Sequence, residues 1–301
     1  MKRREFIQKT ALTSVMVGLP TLPLMGFASD KIKHITILHT NDTHSHIDPF
    51  EASHPRNPNM GGVARRAALV EKIRKENPNT LLLDAGDIFQ GTPYFNYYGG
   101  ELELKLMSMM KYDAATLGNH EFDNGLEGFL APLPNANFDF INSNYDFSNT
   151  ILDGYIKKYK TFDLDGIKIG VFGLGIELDG LVSKSHYKET KYLDPIEIAQ
   201  EMTRFLKEEQ KCDLVVCLSH LGYKYNNSKI SDLVLASKTK NIDLIIGGHT
   251  HTFLNKPTLV DNIEGKSVVV NQVGCFGINL GRIDFYFESG KNTSNGISIE
   301  V

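Results

Sequence analysis

Three cysteines in 301 residues, at positions 212, 217 and 275, form an odd set without the paired spacing of a thiolate metal site. Cys217 lies in an apolar run and reads as a small buried hydrophobe. In an oxidising compartment any two of Cys212, Cys217 and Cys275 could pair, and the sequence selects no pair. A basic excess is also missing. The formal charge is -4, which argues against a nucleic-acid scaffold. At 41% hydrophobic and 23% charged the chain is neither collagen-like, coiled-coil nor disordered in bulk. The length alone would allow two small domains. No repeat, long linker or composition break divides the body, so it counts as one.

Long apolar runs are lacking too, except at the N-terminus. Arg3-Arg4-Glu5-Phe6-Ile7-Gln8-Lys9 precedes an apolar stretch from Ala11 to Ala28 that Pro20 and Pro23 interrupt. A stretch at the edge of spanning length with two prolines is a poor membrane anchor. Gly26-Phe27-Ala28 offers small residues for a signal peptidase. The pattern resembles a bacterial twin-arginine export signal, which implies a periplasmic protein with no stable membrane insertion after cleavage. Residues 1–28 are therefore read as the signal and residues 29–301 as the domain.

The body begins with an apolar run, Ile35 to Leu38, that delivers His39-Thr40-Asn41-Asp42-Thr43-His44. A proline-rich segment, Ser45 to Asn59, reads as loop. Val63, Ala67, Val70 and Ile73 then fall on one helical face, stopped by Asn77-Pro78. Thr80 to Leu83 is a second strand, ending in Asp84-Ala85-Gly86-Asp87. Leu102, Leu106, Met109 and Met110 predict another helical face. The run Tyr112 to Leu117 predicts a third strand, ending in Gly118-Asn119-His120-Glu121 with Asp123 beyond. Strand, helix, strand, helix, strand is the order of right-handed parallel units that gather ligands at strand carboxyl ends. Asp165-Gly166 between two apolar runs predicts a hairpin and hence mixed sheets. Asp194-Pro195 predicts a capped helix start, with Ile198, Met202, Phe205 and Leu206 on its buried face. Two later strands, Leu214 to Leu218 and Ile242 to Ile246, end in Ser219-His220 and in Gly247-Gly248-His249-Thr250-His251. Ser267 to Asn271 and Gly281 to Phe287 are expected to pair. The polar tail after Ser289 is expected to be only partly ordered.

Every strand that ends in chemistry ends in Asp, Asn or His. Asp42, His44, Asp87, Asn119, His220, His249 and His251 supply carboxylate, imidazole and amide donors, a set that suits zinc, manganese or iron. The i, i+2 spacing in Asp42/His44 and His249/His251 lets one extended segment aim two side chains at one site. Seven donors exceed the need of one ion and suit two, if one carboxylate bridges. Two divalent ions outweigh Asp42 and Asp87 and leave the surplus positive charge that a phosphate dianion needs. Such paired ions, roughly 3.5–4 Å apart, clamp the attacking and leaving oxygens and lower the pKa of bound water from about 15.7 toward about 7. Hydroxide is then available at neutral pH, and no side chain need be the nucleophile.

In these residues the chain resembles the calcineurin-like metallophosphoesterases, in particular the catalytic domain of the bacterial 5'-nucleotidase family. The matching text is Ile37 to His44, Leu82 to Asp87, Leu117 to Asp123, Leu218-Ser219-His220 and Asp243 to His251, within a region from about Lys33 to Phe287. The resemblance implies an α/β fold, a four-layer α/β/β/α sandwich of two mixed sheets with helices outside. It makes Asp42, His44, Asp87 and His251 ligands of one metal, with Asp87 bridging to a second held by Asn119, His220 and His249. It makes His120 and Asp123 a dyad in which the imidazole stabilises the transferring phosphoryl group and the carboxylate orients it. Full-length members continue into a second domain that stacks the base and clamps substrate with arginines. This sequence stops where that domain would begin.

The implied function is hydrolysis of a small-molecule phosphate ester, a nucleotide monoester first. The alternatives are a cyclic-nucleotide phosphodiesterase, a nucleotide-sugar hydrolase, a catalytic subunit needing a separately encoded specificity chain, and a non-enzymatic metal-dependent binder. Glu121 reads as structural. His39 and Asp84 are expected to orient backbone around the ligands. His34, His46, His54 and His186 are read as surface or loop, and Met107, Met109 and Met110 as core.

Overall fold

Alternation within the first strands decides which way each side chain faces. In β1 (Lys33–Thr40), Ile35 and Ile37 enter one apolar cluster and Leu38 another. In β2 (Thr80–Asp84), Leu81 and Leu83 join the first cluster and Leu82 the second. Strands buried on both faces belong in the middle of a layered structure. The computed structural model describes residues 32–288 and 291–301. The signal expected over residues 1–28 lies outside the described residues. Among those described, no helix is long and apolar enough to cross a membrane.

Helices α1 (Val63–Glu76), α2 (Pro93–Tyr98) and α3 (Glu101–Met109) flank β2, and β3 (Ala114–Ala115), α4 (Gly125–Leu130), β4 (Asp139–Phe140) and β5 (Tyr145–Asp146) follow. The hairpin of β6 (Tyr159–Leu164) and β7 (Ile167–Leu174) leads to α5 (Lys184–Tyr187), β8 (Lys191–Tyr192) and α6 (Pro195–Arg204). The chain continues through β9 (Leu214–Ser219), α7 (Asp232–Lys238), β10 (Leu244–Gly247), β11 (Thr258–Asp261) and β12 (Ser267–Asn271). It closes with β13 (Asn279–Glu288) and β14 (Lys291–Glu300).

One six-stranded sheet runs β14-β13-β1-β2-β3-β4 and the other β11-β12-β10-β9-β7-β6. Each is mixed. β1 to β4 are parallel, with β13 antiparallel to β1. β7, β9, β10 and β12 are parallel, with β6 and β11 antiparallel at the edges. Ile37, Leu83, Val171, Val216 and Ile246 fill the space between the sheets. On the outer face of the first, Val70, Ile73 and Leu104 cover Leu38 and Leu82. On the outer face of the second, Ala199, Met202 and Leu235 cover Val215 and Cys217. The result is the four-layer α/β/β/α sandwich. Its three cysteines are buried and unpaired.

Four expectations change. Ser267–Asn271 and Gly281–Phe287 do not pair: β12 lies between β11 and β10, and β13 lies against β1. The polar tail is not partly ordered but forms β14, in register with β13 from Asn279↔Glu300 to Glu288↔Lys291. Backbone hydrogen bonds hold an edge strand without demanding apolar residues. The face of α3 is rotated, so that Glu103, Leu104 and Met107 are buried while Met109 is 78% exposed. Glu103 points inward and, with the buried Arg66, lines a small cavity. The third strand shortens to Ala114–Ala115, although Asp113 and Thr116 extend its hydrogen bonds to β2.

Candidate active site

Strand ends from both sheets meet at one edge of the sandwich. Asp42 and His44 follow β1, Asp87 follows β2, Asn119 and His120 follow β3, His220 follows β9, and His249 and His251 follow β10. Among the described residues, three groups of donor atoms lie close enough to hold an ion: Asp42, His44 and His251; His44, Asp87 and His120; and Asp87, His220 and His249. Nε2 of His44 is 3.0 Å from Nε2 of His251, which is 3.3 Å from Oδ1 of Asp42. Nδ1 of His249 and Oδ1 of Asn119 converge to 2.9 Å. All seven sequence-derived candidates are brought together.

The backbone does this differently from the alternation expected of extended chain. Asp42, His44, Asp87, His249 and His251 all have positive φ, between 48° and 71°. Left-handed backbone is uncommon for non-glycine residues, and it persists where the surroundings impose it. Here they do. The amide of Asp42 donates to Gly86 O (2.9 Å), that of His44 to Asp87 O (3.1 Å), and that of Phe276 to Asp42 O (2.7 Å). The Asp42 carboxylate in turn accepts from the His249 amide at 2.9 and 3.0 Å and from Asn41 Nδ2 at 2.6 Å.

His220 tests most directly whether the cluster fits a cation. Its Nδ1 lies 2.7 Å from Ala85 O, which can only accept, so Nδ1 holds a proton. Its Nε2 is buried and has no hydrogen-bond partner, yet Oδ2 of Asp87 lies 3.0 Å away. A lone pair against a carboxylate oxygen is repulsive unless a proton or a cation lies between them. Burial alone would lower this imidazole, but Asp87 and Asp42 outweigh burial and push it up to about 10. His251 is likewise lowered by burial and raised by Asp42, to about 10. His249 goes the other way: burial and the neighbouring His220 take it down to about 4. Imidazole nitrogen, carboxylate and amide oxygen converging on buried carboxylates fit divalent cations.

Beside this cluster, Nδ1 of His120 donates to Oδ2 of Asp123 at 2.7 Å, which leaves Nε2 for other work. Burial disfavours the charged ring, but the Asp123 hydrogen bond and the Asp87 carboxylate override it and raise its pKa. The His120 amide donates to Oδ1 of Asp87 at 2.8 Å, tying the pair to the donor cluster. Both side chains are partly exposed.

Glu121 is a clamp. Its Oε2 accepts from Asp87 N (3.0 Å) and Gly118 N (2.6 Å), and its Oε1 from Ile88 N (2.8 Å) and Phe89 N (3.3 Å). One buried carboxylate thus fixes the turns after β2 and β3 against each other. Gly118 allows that approach, since a Cβ there would collide with Oδ1 of Asp87 and Cε1 of His220. Asp84 accepts from Gly86 N at 2.8 Å and so orients the turn that carries Asp87. His39 is buried against Asn271 (2.9 Å) and touches no candidate ligand's backbone in this way. His34 pairs with Asp284 at 2.8 Å and stacks on Tyr286.

Sequence reasoning did not single out Asn41, Gln272 or Phe276. Asn41 holds Asp42 while donating to Gly274 O at 2.6 Å, and Gln272 donates to Gly248 O at 2.6 Å. The ring of Phe276 lies 5.9 Å from those of His44 and His251. The signal was the stretch Asn271 to Gly277, polar residues and two glycines directly after a buried strand.

A family model described as calcineurin-like phosphoesterase matches residues 35–253. The trifunctional nucleotide phosphoesterase protein YfkN of Bacillus subtilis is 37% identical over 291 residues, covering 86% of this chain and 18% of that protein. The snake venom 5'-nucleotidase of Crotalus adamanteus is 35% identical over 279 residues, covering 86% of this chain and 46% of that one. Among solved structures, the 5'-nucleotidase precursor from Thermus thermophilus superposes with a TM-score of 0.81 at 35% identity, over 89% of this chain and 55% of the other. The chain spans less than half the length of these two curated relatives.

Proposed function

We propose that this chain, which belongs to the calcineurin-like phosphoesterase family, hydrolyses phosphomonoesters, nucleoside 5'-monophosphates among them, with two divalent cations and the His120–Asp123 pair. One observation carries the reading: two donor triads share Asp87, and the His120 amide is bonded to that same carboxylate. The 5'-nucleotidase names of several relatives support the substrate class. Residues 29–301 would act as the catalytic domain.

Asp42, His44, Asp87 and His251 would hold one cation, and Asp87, Asn119, His220 and His249 the other. When bound, the cations supply water that ionises near neutral pH and positive charge for the phosphate oxygens. The protein's own residues do the rest. His120, held by Asp123 through Nδ1, would meet the phosphoryl group through Nε2 as a cation or proton donor. Glu121 and Asp84 keep the turns from drifting, which matters because misplacement of a reacting group by about 1 Å can cost 10²-fold in rate.

Release of inorganic phosphate tests the reading, with manganese, zinc or iron added back to the chain after chelation. Adenosine 5'-monophosphate and ribose 5-phosphate should both be cleaved. Cleavage of cyclic nucleotides alone, with no monoester turned over, would transfer the assignment to a phosphodiesterase.

Cation binding should depend on pH in a defined direction. A ligating imidazole is neutral, while His220 and His251 sit at about 10 without a cation. Binding at pH 7 therefore releases protons, and the affinity for manganese should rise from pH 6 to pH 9. The cation-free fold behaves oppositely. A folded-state pKa raised above the ordinary 6.5 stabilises fully below that value and is lost as pH climbs toward 10. The chelated protein should melt lower at pH 9 than at pH 6.5, and manganese should restore most at pH 9. Melting curves and isothermal titration check this, and a pH-independent affinity would contradict it.

A further inference from the structure

The loop between β1 and α1 carries an aromatic wall that the catalytic reading does not use. Phe276, already 5.9 Å from the rings of His44 and His251, lies 4.4 Å from His46. His46 lies 4.9 Å from Phe50, and Phe50 lies 4.5 Å from His54. A continuous run of rings therefore leads out of the donor cluster. It flanks a cavity of about 450 Å³ that His46, Pro49, Phe50, His54 and Tyr94 help to line. That is within the roughly 300–1,000 Å³ of small-molecule sites.

Three features separate this wall from a plug that merely pins a loop. All four rings of Phe276, His46, Phe50 and His54 remain partly open to solvent, where a plug would bury them. The wall is already in place: Phe50 N donates to Met60 O (2.9 Å), Thr92 Oγ1 to Ser45 O (2.8 Å), Tyr94 OH to Asp48 Oδ2 (2.6 Å) and Asn57 N to His54 Nδ1 (3.0 Å). Phe276 holds a φ of 63°, a conformation that a bulky side chain rarely adopts, and its amide is bonded to Asp42. Strain of that kind collects at ligand contacts.

Charge narrows the occupant. The residues lining the cavity include Asp48 and Glu51 and no lysine or arginine, so it repels a phosphate. It suits a flat, uncharged or amine-bearing ring. We propose that the groove holds the base of a nucleoside 5'-monophosphate, stacked on Phe50 and His46, while the phosphate lies at the donor cluster. This rests on the hydrolytic reading above and adds the residues that recognise the leaving group. It also relocates base recognition. The family resemblance assigns that task to a second domain, or to a separately encoded chain, whereas this groove places it on residues of the catalytic domain. Stacking tolerates any base because every base has a π-face, so preference should lie between nucleotides and bare sugar phosphates rather than among bases.

The test is kcat/KM for adenosine, guanosine and uridine monophosphates against ribose 5-phosphate, with the full chain loaded with manganese. The wild type should favour all three nucleotides. In Phe50→Ala the ratio of nucleotide to ribose 5-phosphate should fall by about 5- to 150-fold, the usual range for losing one stacking ring, and Phe50→Tyr should restore it. A second measurement needs no variant: adenosine should inhibit ribose 5-phosphate hydrolysis competitively, and ribose should not. A wild-type ratio near one, a ratio unmoved in Phe50→Ala, or no inhibition by adenosine would each overturn the groove. Failure to hydrolyse any of the four esters would instead remove the hydrolytic reading beneath it.

Discussion

Asp87→Ala should lose its cations and its turnover together. Oδ2 of Asp87 lies 3.0 Å from Nε2 of His220 and 3.9 Å from Nε2 of His44, so one carboxylate serves both halves of the cluster. Its Oδ1 holds the His120 amide. Burial would raise this carboxyl, but His220 and His44 hold it well below the usual carboxylate range, as expected of a group that stays ionised. Removing it deletes a shared donor and one of two carboxylates at once. Phosphate release should drop below detection and metal analysis should find little cation retained, while circular dichroism reports a folded chain. A variant that kept both cations, or turned over near the wild-type rate, would show that Asp87 does not bridge.

His120→Ala should separate catalysis from ligation. Its donor atom lies within reach of His44 and Asp87, so geometry permits a third ligand role. The bond to Asp123 argues for the other: a ring anchored through Nδ1 and raised in pKa is suited to meeting developing negative charge. A positioned acid–base group is worth about 10²–10⁴ in rate. The variant should lose that much in kcat and keep its cations. Asp123→Asn should lose less, because the amide still touches the ring but no longer fixes its orientation or charge. Cation loss in His120→Ala matching that of Asp87→Ala would make His120 a ligand.

The donor cluster was legible because chemistry and position coincided. Asp42, Asp87, Asn119, His220 and His249 each follow an apolar run; any one alone reads as a turn or capping residue, and it is the full set of seven in order that points to a site. The hairpin at Asp165-Gly166 was legible for a local reason: both residues have positive φ, 53° and 70°, as a tight two-residue turn requires. What stayed hidden depends on contacts between distant segments. The left-handed backbone of Asp42 and His251 carries no glycine to announce it, and tertiary hydrogen bonds impose it. β14 has little apolar signal because its partner is a backbone ladder. Phe276 looks like one more apolar residue until the loop between β1 and α1 is folded against it. The buried face of α3 differs from the expected one because Glu103, charged in the sequence, points inward.

If the seven strand-end residues hold two cations, both should be needed for hydrolysis. Titrating the chelated chain with manganese, while following bound metal and phosphate release on the same samples, addresses it directly. Saturation is expected at two ions per chain, with activity completed only by the second. Full activity with one ion bound, or with none, would contradict it.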